Sequence, residues 1–257
     1  MPRLTRTALG LESLSDRITP AITVTPGADG LVTVRCDQWS NDVEITDNGA
    51  AGVTVTVDGV DYPVPTDVST LRVCTGSGHD NVTFALGEGV TGTTRTVEVR
   101  LGNGHDTFTA DLPGGLDETS DLTLKVNGGN GKDTLSVTGG GTLAGHLTVD
   151  FKGYNGTDSL SAGFAGVLTG ALDLTLDGGN GVDTIRGTVD AAAGSTGSVT
   201  AEVLGRNGKD DLGLRVAGDG LGGLTATDLT IHGGNGKDLF DHSDNVTVLD
   251  PWHVTVS

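Results

Sequence analysis

The sequence predicts an all-β protein, a right-handed parallel β-solenoid with an N-terminal β cap. Three observations carry that expectation. A Gly-x-Asp turn returns about every 26 residues, a period that marks stacked structural repeats. Each turn follows a run of alternating apolar and polar residues, the period of a strand. Helix signals are nearly absent. The right hand follows the usual preference of parallel crossovers.

The chain has 257 residues, enough for one large domain or two small ones. Aromatics make up only 4%, so a bulky globular core is not expected and a thin aliphatic one is. Acidic residues outnumber basic ones 34 to 15, a formal charge of −19. Such a charge disfavours nucleic acid and anionic membranes as partners and suits cations. No apolar run approaches the ~18 residues of a membrane span, so no membrane insertion is expected.

In chain order, residues 1–20 read as a disordered leader or sorting segment. Glu12, Asp16 and Arg17 interrupt what would be the apolar part of a secretory signal. The stretch LESLSDRITP resembles a short motif at the start of large bacterial surface proteins. Residues 21–70 read as the β cap, since a stack of coils has an open end that must be closed. Within it, LVTVRCDQWSNDVEI has the pattern of a degenerate coil without turn glycines. Val53 to Val64 carries Asp58-Gly59 between alternating runs, a hairpin signal. Residues 246–257 read as a closing strand, with Trp252 over the last layer and Pro251 discouraging further pairing.

Residues 71–245 hold the seven turns, ending in Asp80, Asp106, Asp133, Asp158, Asp183, Asp210 and Asp238, with spacings of 26, 27, 25, 25, 27 and 28. Two residues before each Asp stands Gly, and one before that stands Asn in six of seven. Both residues accept left-handed backbone readily. Two residues after each Asp comes a large apolar side chain, from Val82 to Phe240, and two apolar columns precede each turn. Between those columns runs an outward row whose first members, Arg72, Glu98, Lys125 and Asp150, alternate in sign. Parallel stacking in register would set each charge against its opposite.

The same stacking would line seven carboxylates in single file. Neighbours ~4.8 Å apart repel by about 0.9 kcal/mol in water and about 3.5 kcal/mol at an effective dielectric of 20. A hard divalent cation with 6 to 8 oxygen ligands offsets this, and open glycine backbone supplies carbonyls. For one isolated motif, an Asp bonded to its own backbone is explanation enough. Seven in phase favour a cation, because Asn would serve the turn without the repulsion.

The turns resemble the hemolysin-type (RTX) calcium-binding repeat, G-G-x-G-x-D-x-U-x with U apolar. Residues 128–135, GGNGKDTL, match every fixed position, as do GGNGVDTI and GGNGKDLF. TGSGHDNV and LGNGHDTF lack the first Gly, and GYNGTDSL and GRNGKDDL replace the second. That family repeats its motif every nine residues, whereas here one motif occurs per coil, so one edge alone would carry the sites. The resemblance implies Ca2+ between adjacent turns. It would be held by the seven Asp carboxylates and by the segments carrying Gly128, Asn130, Gly153, Asn155, Gly178, Asn180, Gly205, Asn207, Gly233 and Asn235.

His79 and His105 hold the same turn position, shared with Lys132, Lys209 and Lys237, which suits an exposed site that could stack. Cys36 and Cys74 are the only cysteines. They leave open a disulfide from cap to first coil or two separate thiols. No nucleophile–base set, phosphate loop or zinc spacing stands out. The pairings Arg186 with Asp183 and Arg215 with Asp211 are thin grounds for a polysaccharide-active enzyme. The outward row Thr70, Thr96, Thr123, Thr148, Asp173 and Thr200 has a charge too many for an ice-binding face. The expectation is therefore an extracellular or cell-surface Ca2+-stabilised solenoid with a structural or adhesive role and no enzymatic activity. Its partners would be calcium ions, and beyond them surface glycans or other copies of itself.

Overall fold

In the computed structural model, which describes residues 22–249 except 88–91 and 93, the chain is nearly all β and forms a parallel β-solenoid. Each coil past the first has two main strands joined by the Gly-x-Asp turn. In the Asp158 coil these are His146–Gly156 and Ser159–Leu168. Strands before the turn stack into one sheet and strands after it into the other. The leader at 1–20 and the closing residues Pro251 and Trp252 lie outside the described residues.

Period-two alternation decides which side chains enter the space between the sheets. Leu71, Val97, Leu124, Val149, Leu174, Ala201 and Leu229 form one buried column. Val73, Val99, Val126, Phe151, Leu176, Val203 and Ile231 form the next. Opposite them stand Val82, Phe108, Leu135, Leu160, Ile185 and Leu212, also buried. The aromatic rings Phe108 and Phe151 meet edge to face across the core at 5.7 Å. Like side chains lie over like because coils of 25 to 28 residues absorb their length differences in the returns and not in the strands.

The outward rows confirm the register. Arg72 faces Glu98, Glu98 faces Lys125, and Lys125 faces Asp150 on successive strands. Arg72 and Glu98 close to 2.8 Å. Thr70, Thr96, Thr123, Thr148, Asp173 and Thr200 also run in line.

At the N-terminal end the parallel stack starts earlier than residue 71. Leu31–Arg35 pairs in parallel with Thr70–Gly78, and Asp42–Asp47 with Asn81–Leu86, so the glycine-free stretch is a true first coil. The cap proper is antiparallel: Thr23–Pro26 covers one sheet, and the hairpin Val53–Val57 and Val60–Tyr62 covers the other. Asp58 and Gly59 turn that hairpin with φ of 51° and 75°, the backbone a two-residue hairpin turn requires. Antiparallel strands over a parallel stack use the exposed edge without offering the next coil its register. Arg95, from the third coil, reaches buried Asp47 at the end of Asp42–Asp47 at 2.8 Å and ties the first coil to the third. At the far end Thr247–Leu249 pairs in parallel with Thr225–His232. Cys36 and Cys74 are free, half-buried thiols on adjacent coils, with the Cys36 N–H on the Cys74 carbonyl at 2.9 Å.

Candidate functional site

The turn fixes each aspartate from both sides. Two residues before it, glycine runs so close to the coil below that no side chain fits. At Gly156, with φ of 151°, a Cβ would overlap the carbonyl of Gly131. That approach draws consecutive turns into one ladder, and the aspartates follow it inward. Six of the seven, Asp80 through Asp210, are almost wholly buried, while Asp238 in the last turn is half-buried.

The carboxylates are joined head to tail. Asp106 Oδ1 accepts the Asp80 N–H at 2.8 Å, Asp133 Oδ1 that of Asp106 at 2.9 Å, and Asp158 Oδ1 that of Asp133 at 2.8 Å. Asp183, Asp210 and Asp238 continue the series at 2.8 to 2.9 Å. The file has one more member than the sequence showed. Asn41 sits at the aspartate position of the glycine-free first coil, is 4% exposed, and donates its N–H to Asp80 Oδ1. Its place two residues before buried Val43 was the available signal. Without the turn glycines it did not stand out.

The second oxygen of each carboxylate is different. Oδ2 of Asp80, Asp106, Asp133, Asp158, Asp183, Asp210 and Asp238 is buried without a hydrogen-bond partner. A buried unpaired carboxylate oxygen is costly, and seven in a row call for a common cause. Burial pushes Asp158 up to about 7 and Asp210 to about 6, against the opposing pull of the neighbour's N–H. Asp80, Asp106, Asp133 and Asp183 move the same way for the same first reason.

The glycine five residues before the Asp makes this arrangement possible. A Cβ on Gly128 would fall 2.6 Å from Asp133 Oδ2, and one on Gly178 would fall 2.6 Å from Asp183 Oδ2. Gly153, Gly205 and Gly233 face Asp158, Asp210 and Asp238 in the same way. The carbonyl of the next coil's glycine also comes in: the Gly205 position has Gly233 O at 2.5 Å and Asp210 Oδ2 at 2.7 Å. In the first two turns Thr75 and Leu101 occupy this spot with buried side chains, and the Thr75 hydroxyl donates to the Leu101 carbonyl at 2.7 Å.

The asparagines, by contrast, point away. Asn130 Nδ2 donates to Asn103 Oδ1 at 2.8 Å, and Asn155, Asn180, Asn207 and Asn235 extend an exposed amide ladder at 2.7 to 3.0 Å. Their side chains bind one another, so Asn130, Asn155, Asn180, Asn207 and Asn235 have only backbone to offer the carboxylate file. His79 and His105 stack with centroids 5.1 Å apart on the same outer edge, each Nδ1 accepting the next turn's N–H.

Calcium can be tested against this donor set. Coils ~4.8 Å apart are separated by about twice a Ca2+–oxygen distance of ~2.4 Å. The orphaned Oδ2 atoms and the neighbouring glycine carbonyls are hard oxygen donors. Among the described residues no three acidic, His or Cys side chains cluster, so the carboxylates act in file and backbone oxygens must complete any shell. The set fits best from Asp133 onward, where the facing residue is glycine. No protein family, curated protein or solved structure matches the chain.

Proposed function

We propose that the chain is a calcium-stabilised structural solenoid, acting outside the cell or at its surface in an architectural or adhesive role. One observation carries this reading: seven buried Oδ2 atoms without a partner, in register along one edge. Left charged and unmatched they oppose the stack. A divalent cation supplies the countercharge and takes the spare lone pairs. Asp133, Asp158, Asp183, Asp210 and Asp238 would hold it, with carbonyls of Gly128, Gly153, Gly178, Gly205 and Gly233.

Charge sets the stoichiometry. Each carboxylate carries one charge, so about one Ca2+ per two turns brings the file near neutrality. Ions that bind the stacked coils and not the unfolded chain stabilise by about 2.7 kcal/mol per site at a hundred times the dissociation constant. A chain exported into millimolar calcium would thus rigidify after export, a sequence of events that agrees with the RTX resemblance of the turns.

The test is a melt in chelator and in millimolar Ca2+, paired with calorimetric titration. A large Ca2+-dependent rise in Tm with two to three ions bound is expected. A Tm indifferent to both additions refutes the reading, and leaves the file to be held by protons.

A further inference from the structure

Four residues before each aspartate the chain needs left-handed backbone. Gly76, Gly102, Gly129, Gly179 and Gly234 supply it with φ between 90° and 103°. Two turns break the rule: Tyr154 and Arg206 stand there with φ of 75° and 71°. A Cβ at this position is driven toward the carbonyl of the coil before, as it would be at Gly129 against Gly102 O. A bulky side chain held in this region is strained, and strain of this kind persists where it serves a site. Around Arg206 the ladder is interrupted, with Ser198–Leu204 and Asn207–Gly208 pairing as separate strands.

The two exceptions are not scattered. Tyr154 lies beside Gly179 on the next coil, and Arg206 follows on the coil after that. Together they wall a cleft of about 410 Å³ on the outer face, with Gly179 between them and Lys152 and Asp177 alongside. Tyr154 is 45% exposed although tyrosine usually covers apolar surface. Arg206 is fixed from below: Asp177 accepts from Nε at 3.1 Å and from Nη2 at 2.8 Å. Nη1 has no acceptor among the described residues. Asn180 and Asn207 complete the lining.

We infer that this cleft binds one pyranose ring of a neutral glycan. Tyr154 and Arg206 leave the backbone two coils apart, ~9.6 Å, and the guanidinium reaches back over Asp177 of the coil between. Tyr154 offers an aromatic face to the C–H side of a sugar, while the Arg206–Asp177 pair and the asparagine amides offer donors and an acceptor to its hydroxyls. The ligand is neutral because Arg206 is already matched by Asp177, Lys152 approaches Asp150 at 3.4 Å, and the −19 chain repels anions. This site is separate from the carboxylate file and does not depend on calcium.

The strain makes the test decisive. Tyr154→Gly and Arg206→Gly restore the residue the other turns use and each removes one wall; Tyr154→Gly keeps or raises Tm, while Arg206→Gly sets relief of backbone strain against loss of the Asp177 pair. Intact protein is titrated with cellohexaose, maltohexaose, a mannohexaose and a galactohexaose by calorimetry and ligand-observed NMR, with a hexamer alternating glucuronate and N-acetylglucosamine as the acidic arm. Binding of at least one neutral hexamer is expected, weakened tenfold or more by either variant, with the acidic hexamer weaker. Three results overturn the inference: no hexamer binding at millimolar concentration, an acidic hexamer preferred, or both variants binding as the parent does. A drop in Tm on Tyr154→Gly would likewise overturn it, by showing that the side chain stabilises the turn.

Discussion

Replacing Asp158 by Asn separates the two jobs of the carboxylate. Asn keeps Oδ1 as acceptor for the Asp133 N–H at 2.8 Å and exchanges the orphaned Oδ2 for an amide donor on the side of the Gly178 carbonyl. Asp158 is 2% exposed, and burial pushes its carboxyl up from 3.8 to about 7. Each pKa unit is worth about 1.36 kcal/mol, so holding this group ionised at pH 7 costs on the order of 3–4 kcal/mol. Without a cation Asp158→Asn therefore stabilises the stack, by ~5–15 °C in Tm for a chain of this size. In saturating Ca2+ the order changes, because the wild type gains an ion that the amide cannot neutralise. Melts of both proteins in chelator and in millimolar Ca2+ check this. Were the variant the less stable one in chelator, or were the gap the same in both buffers, the argument from the unpartnered oxygen would fail.

Other expectations follow from the same geometry. With chelator present, stability should rise as pH falls through about 7 and about 6, where Asp158 and Asp210 take up protons, and be lost as pH rises through the same range. The sign follows from folded-state values raised above the unfolded one. In Ca2+ the trend should flatten as protons displace the ion, which urea midpoints at pH 8, 6.5 and 5 would show. Gly156→Ala adds a Cβ at φ of 151° against the Gly131 carbonyl and should cost ~2–6 kcal/mol in urea unfolding. An effect below 1 kcal/mol would mean that the turns are not in tight register. Arg95→Ala strands Asp47, which is wholly buried and still caps the Gly49 N–H, and should cost ~3–5 kcal/mol. Hydrogen exchange should then speed up first in Asp42–Asp47 and in the hairpin strand Val53–Val57 paired with it.

Period and alternation in the sequence determined the stack. Once Gly-x-Asp recurs at near-constant spacing and Leu71, Val97 and Leu124 alternate with polar neighbours, burying the columns in one core demands parallel coils in register. The opposed charges of Arg72 and Glu98 were readable for that reason. Which way a turn side chain faces was not readable, because both faces of a glycine-rich turn look alike in one dimension. Asp and Asn stand three positions apart in the same motif, yet packing sends Asp133 inward and Asn130 out. Only the close passage of backbone over backbone at Gly156 and Gly131 decides this. The same holds for Asn41, whose membership in the file depends on the coil above it. It holds too for Tyr154 and Arg206, two departures from glycine that become walls of one cleft only when successive coils bring them to either side of Gly179.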